Sequence, residues 1–419
     1  MDLSFSGIVT FAHLPHQRCL EEPSAKADII VLGIPFDVSR NVSPLVSTNV
    51  APTDLHLSLK TAVSFRPGAR FGPNAIRQGS RRHAPNRGFS IPWNQNPFKA
   101  GASILDCGDI PVSPYDNALA IDQIETAYST LLARPVETEW TEGSAWRRSS
   151  RRHEFHLPAF TAAIGGTKVL ALDRKEHPKI LSLGGDHTIV LPILRSLNKV
   201  YGPISTHGSF FWKAATEGLI ANSTSVHAGI RTRLSEFEDL THDEDVGFKI
   251  FTTDDIDEMK PSGIVQAIKD RVGNTPCYLS FDIDTIDPSM APASKSLPPL
   301  ASFRTVPLAL VSDCSHLPLL AYPTAGTPES GGWTTREVKA ILRGLSSLNL
   351  VGLDIVEVSP AYDSNAEVTA MAAADLVQEY LGMLTKGRSN GGQEWQPAVK
   401  GGKLYDERVK ETKQGHDEL

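Results

Sequence analysis

The run Ser280-Phe281-Asp282-Ile283-Asp284 closes an apolar stretch and sets two carboxylates two positions apart. On a strand such residues project to the same side, so Asp282 and Asp284 are expected together at the strand's end. Side by side they repel unless a cation lies between them, which suits them to a divalent metal. A pair of solvated loop aspartates is the plainer alternative. Asp287, before Pro288, reads as a turn-former. In Gly184-Gly185-Asp186-His187 the glycines let the backbone turn sharply and His187 offers an imidazole to a metal, with Asp186 placed to orient the ring. Glu357 ends another apolar run, where its carboxylate can hold a guanidinium by a paired, charge-assisted contact or, more plainly, cap a helix. His207 precedes Gly208 on what reads as a turn.

The elements that must position these groups alternate. Short runs rich in Ile, Val and Leu at 27–36, 102–109, 178–186, 248–255, 276–284 and 349–358 read as strands. Helical stretches at 117–133, 334–348 and 367–385 fall between or after them. Strands alternating with helices imply an α/β fold: a mostly parallel central sheet covered on both faces, a three-layer α/β/α sandwich. Ligands in such sheets sit beyond the carboxyl ends of the strands. Asp109, His187, Asp282, Asp284 and Glu357 all fall there.

Composition narrows the class. The chain has 419 residues, 40% of them hydrophobic, and a net charge of −7, which disfavours wholesale nucleic-acid binding. A basic cluster, Arg147-Arg148-Ser149-Ser150-Arg151-Arg152, lacks interleaved aromatics and a basic surround, so no nucleic-acid partner is expected. No run approaches membrane-spanning length, so no membrane partner is expected either. Cys19, Cys107, Cys277 and Cys314 show no C-x-x-C spacing, and neither a disulfide framework nor a Cys-rich zinc site is expected. The chain ends His416-Asp417-Glu418-Leu419, an endoplasmic-reticulum retention address, yet begins without a signal-peptide pattern. Location therefore stays open between cytoplasm and, given an upstream signal, the reticulum lumen.

Several motifs resemble the ureohydrolase superfamily (arginases and agmatinases), and its agmatinase branch most closely. They are SFRPGARFGPNAIRQGSRR (64–82), ILDCGDIPVSPYDNALAIDQIE (104–125), GGDHTIVLP (184–192), HGSFFWKAA (207–215), VHAGIRTRLS (226–235), SFDIDTIDP (280–288), TPESGGWTTRE (327–337) and DIVEVSPAYDSNAEVTA (354–370). The resemblance covers most of residues 5 to 390 and implies a single ureohydrolase-like domain over 1–387 with a disordered polar tail over 388–419. It also implies a pair of Mn²⁺ ions, a small guanidino substrate (agmatine, split to putrescine and urea) and a homo-oligomer, trimer or hexamer. By the same similarity His187, Asp282 and Asp284 are metal ligands, His207 a proton-transfer or substrate-contacting histidine, and Glu357 the guanidinium anchor. A guanidinium is a poor electrophile, and two metals sharing a water can lower its pKa from about 15.7 toward 7 and supply hydroxide.

The chain departs from that pattern in one respect that matters for catalysis. The family carries a D-x-H-x-D motif, with further metal ligands, between GGDH and the His-Gly turn, whereas here VYGPIS (200–205) runs directly into THGSFFW (206–212). The strand that would carry the motif is expected to be lost, and with it much of the competence for catalysis. Stretches 38–60, 136–160 and 294–323 fit neither helical nor strand periodicity. Ser294-Lys295-Ser296 and Val38-Ser39 can each be encoded across a splice-donor consensus, and joining Asp37 to Thr61 restores the family pattern. The sequence thus reads as a translation with retained introns and one skipped exon. A catalytically inactive relative, and a ureohydrolase acting on arginine or a guanidino acid, are the other readings.

Overall fold

The computed structural model describes residues 7–37, 68–137, 171–204, 211–232, 237–293 and 329–386, together with 397, 399–400 and 403–404. The stretches 38–60 and 294–323, and 136–160 after its first two residues, lie outside the described residues.

Seven strands form the body: β1 (Ile29–Ile34), β2 (Ile104–Asp109), β3 (Lys179–Gly184), β4 (Ser225–Ile230), β5 (Phe248–Thr252), β6 (Cys277–Asp282) and β7 (Leu350–Val356). Six coincide with the apolar runs of the sequence. Ser225–Ile230 was not among them, because SVHAGI is short and carries His, Ala and Gly in place of a β-branched run. Five strands pair in the order β2-β1-β3-β7-β6, every pairing parallel. β4 and β5 form a separate parallel pair, so the sheet is interrupted between β6 and β4.

The helices are α1 (Gly72–Gly79), α2 (Asn117–Leu132), α3 (Val190–Tyr201), α4 (Phe211–Thr216), α5 (Glu238–Asp245), α6 (Asp255–Val272), α7 (Thr335–Gly344) and α8 (Val368–Thr385). Asp116 caps α2 by accepting the Leu119 N–H, and Thr334 and Glu337 form a reciprocal capping box on α7. α5 contains the acidic run 242–245. α6 breaks at Lys260 (φ +59°), the residue before Pro261, where proline excludes ordinary helical geometry.

Strand side chains alternate between two cores. Ile29, Val31, Leu181, Leu183, Leu279, Leu353 and Ile355 pack with α1, α6, α7 and α8. Ile30, Leu32, Ile34, Ile180, Tyr278, Val351 and Val356 pack with α2 and α3. Continuous burial of both faces is what a parallel sheet between two helical layers requires, and every residue of β1 and of β7 is buried. Among the described residues no helix is long and apolar enough to cross a membrane. In the segment expected to be a disordered tail, Val399–Lys400 and Lys403–Leu404 pair antiparallel.

The cysteine expectation needs correcting: Cys19 and Cys107 form a disulfide across 88 residues, with a Cα–Cα distance of 5.2 Å. No local spacing announces it. The N-terminal segment runs beside β2, bridging His16 to Asp106, and that carries Cys19 to the strand. Cys277 is free and buried.

Candidate active site at the carboxyl ends of β3, β6 and β7

The loop after β3 threads between its neighbours. Gly185 donates to Ile34 O, Asp186 donates to Phe36 O, and Gly185 O accepts from the Glu357 N–H. A Cβ on Gly185 would lie 1.7 Å from Phe36 O, so only glycine lets the loop pass. This passage brings His187 over the ends of β6 and β7.

His187 is buried. Its Nδ1 lies 3.3 Å from Asp282 Oδ2 and its Nε2 lies 2.9 Å from Ser280 Oγ. Burial disfavours charge on this ring, but its hydrogen bond to the accepting Asp282 carboxylate and the fields of Asp282, Asp354 and Glu357 outweigh it and raise the pKa above the ordinary value. The expected part for Asp186 is different in the structure: its Oδ1 accepts from the Thr188 backbone and hydroxyl, capping a short turn at His187–Ile189. A side chain two residues ahead of an open turn finds those donors first.

Glu357 is buried, and its Oε1 accepts the His187 backbone N–H at 2.9 Å. That N–H belongs to the first residue of the turn His187–Ile189, so Glu357 makes a capping contact there. Its φ of +66° is unusual for a residue with a side chain, a conformation that native structures keep where the surroundings demand it.

β6 ends at Asp282, so Asp284 is not on the strand, and the strand-face argument for the two carboxylates does not hold as expected. Instead Asp282 Oδ1 accepts the Asp284 N–H at 2.8 Å and opens a single turn, Ile283–Thr285, in which Asp284 is buried. Asp287 forms a turn: it accepts from the Ser289 hydroxyl, which does most to lower its pKa, and from the Ser289, Gly331 and Gly332 N–H groups, against a partial burial cost. Asp109 belongs elsewhere, paired with Arg77 at 2.6 Å. His207 lies outside the described residues.

Beneath the site lies a set of polar groups that sequence reading passed over: Tyr278, Ser280 and Asp354, all wholly buried. Tyr278 OH donates to Asp354 Oδ2 at 2.6 Å and Ser280 Oγ to Oδ1 at 2.8 Å. Burial pushes the Asp354 carboxyl up to about 6, with these donors and His187 opposing the shift. The signal available in the sequence was a polar residue inside an otherwise apolar strand.

The ion pair implied by the family asks for several His and carboxylate donors around two positions. His187 Nδ1 and Asp282 Oδ2 face one another, but among the described residues no group of three or more His, Cys, Asp or Glu side chains is gathered to hold an ion. The described residues do not fit a two-ion centre. What they can do is present a buried carboxylate to a cationic group and hold an imidazole in a set orientation.

Comparison with known proteins places this arrangement in context. The arginase family profile matches residues 27–206, 204–296 and 303–382. The chain is 40% identical over 411 residues to "Putative agmatinase 1" of Schizosaccharomyces pombe, spanning 92% of this chain and 84% of that protein. It is 30% identical over 373 residues to an agmatinase of Neisseria meningitidis serogroup C, covering 85% and 86%. Among solved structures it resembles proclavaminate amidino hydrolase from Streptomyces clavuligerus, with a TM-score of 0.63 at 25% identity, covering 93% of this chain and all (100%) of that one.

Proposed function

The chain belongs to the arginase family, and on that premise we propose that its chemistry is agmatinase-type: water added to the guanidino carbon of agmatine, giving putrescine and urea. The relationship makes it a hydrolase by family. The observation that carries the finer reading is the 40% identity to an agmatinase-named relative across 92% of the chain. Glu357 supports it: a buried carboxylate at the ends of the strands matches a guanidinium in charge and in the paired geometry of its N–H groups. His187, held above β6, is the candidate imidazole, and His207 a second one by resemblance.

In the family, manganese supplies the activated hydroxide. Among the described residues the facing donors are His187 Nδ1 and Asp282 Oδ2, and no third His, Cys, Asp or Glu joins them in a metal-holding group. That shortfall favours a second reading, a relative that keeps the fold and the guanidinium anchor with little or no turnover. Loss of residues that merely support metal ligands costs about 10–100-fold, and loss of ligands should cost more.

Urea release from agmatine, arginine and 4-guanidinobutyrate, measured beside bound Mn²⁺ per chain, separates the readings. The expected result is fewer than two ions per chain and agmatine turnover at least about 100-fold below an intact relative. Two tightly held ions with turnover matching the relative would remove the second reading. Preference for arginine or the guanidino acid would remove the agmatinase assignment itself. Assembly as a trimer or hexamer, inferred from resemblance alone, is read by sedimentation of the same sample.

A further inference from the structure

β4 is entered through an exposed turn, Asn222-Ser223, followed by Thr224. The fold holds this turn at its base: Ala221 donates to Ile204 O at 2.9 Å, and Thr224 Oγ1 donates to Ala221 O at 3.0 Å. Gly247, in the link between α5 and β5, packs beneath it, since a Cβ there would lie 2.9 Å from the Ser223 nitrogen. Asn222 Oδ1 accepts from Ser223 Oγ at 3.1 Å, and among the described residues its Nδ2 donates to nothing.

Asn, Ser and Thr are ordinary turn residues, so the triplet alone says little. Asn-x-Thr with x other than proline is also the acceptor pattern for an N-linked glycan, carried on surface loops of secreted proteins. The disulfide favours the second meaning. Cys19 and Cys107 are bonded and only 1% and 5% exposed, and disulfides form and persist in oxidising compartments such as the endoplasmic-reticulum lumen. N-linked glycans are attached in that same lumen. Transfer acts on the chain as it emerges, so the finished fold has only to leave room for the sugar, and this turn does.

We infer that Asn222 is a site of N-linked glycosylation, taking its sugar from an oligosaccharide carried on a polyprenyl pyrophosphate. Nδ2 forms a bond to the anomeric carbon, and the bond from that carbon to the pyrophosphate oxygen breaks. The amide loses one proton, and the lipid pyrophosphate leaves with the electron pair; nothing is oxidised or reduced. The glycan stands clear of the candidate active site. Gly229, near the carboxyl end of β4, lies against Thr285 in the turn after β6. Asn222 precedes the opposite end of that six-residue strand, about 20 Å away. The inference does not depend on agmatinase-type chemistry. Asn41-Val42-Ser43 has the same pattern but lies outside the described residues.

The test is peptide mass spectrometry of the full chain isolated from the cells that make it, digested with and without an amidase that releases N-glycans in ¹⁸O-water. The peptide containing Asn222 should carry hexose and N-acetylhexosamine masses before release, and an ¹⁸O-labelled aspartate at that position after it. Thr224→Ser, which keeps the hydroxyl, should retain the glycan; Asn222→Gln and Thr224→Ala should lose it. An Asn222 peptide found wholly unmodified in the wild-type protein overturns the inference, as does a label that persists in Thr224→Ala. A glycan on Asn41 alone overturns it too. If a variant does not fold, the wild-type digest still decides.

Discussion

The two edges of the five-stranded sheet are finished in opposite ways. At β2 the N-terminal segment is strapped along the strand: Gln17 donates to Asp106 O, Asp106 donates to Pro15 O, and Cys19 is bonded to Cys107. Arg134 adds contacts to the carbonyls of Cys19, Glu22 and Ala25. Within the fold Arg77 meets Asp106 through two nitrogens at 2.9 Å. At β6 there is no such strap among the described residues. The strand faces β4 across an apolar cavity whose walls include Val226, Ala228, Leu279, Phe281, Trp333 and Ile341. Sheet edges carry unpaired N–H and C=O groups that must be covered. One edge is covered by directional bonds and a covalent link, the other by side chains around a void. The void lies beside β6, the strand that carries Asp282, and the family profile breaks and restarts at 204–206.

Substitutions at each edge should therefore behave differently. The largest effect is expected from Arg77→Met, which leaves the fully buried Asp106 carboxylate without its guanidinium and should destabilise the fold by about 3–5 kcal/mol. Denaturant unfolding reads it, and a loss under about 1 kcal/mol would show that the β2 edge is not held by this pair. Cys19→Ala removes a link closing 88 residues and should cost about 2–4 kcal/mol under non-reducing conditions. Under reducing conditions that difference should vanish; a Cys19–Cys107 peptide absent from a non-reducing digest would sink the idea. Its presence would fit folding in an oxidising compartment. The smallest effect is expected at the other edge: Val226→Ile adds one methylene to the cavity wall and should stabilise by up to about 0.8 kcal/mol. A destabilisation there would mean that the void is already filled.

The strands show how far local pattern reaches. Buried parallel strands are continuous apolar runs, so β1, β2, β3, β6 and β7 were legible, as were α2, α7 and α8. His187, Asp282 and Glu357 were legible too, because chemically competent side chains at strand ends stand out by type. Ser280 and Asp354 were not singled out. Each sits inside a strand, and what it touches depends on which strand lies alongside: Ser280 reaches Asp354 because β6 and β7 pair in register, Ser280 opposite Asp354. Asp186 shows the converse, since a local donor captured a side chain expected to serve the ring.

The order of residues along the chain determined the kind of fold and the chemical groups at the carboxyl ends of its strands, since apolar periodicity and residue type act over a few positions and need no partner. Tertiary structure alone decided which groups meet: the bond between Cys19 and Cys107, the gap between β6 and β4, and the partner behind each nitrogen of His187. Those depend on contacts between residues tens of positions apart, which exist only after the sheet has assembled and burial has forced every polar group to find a neighbour.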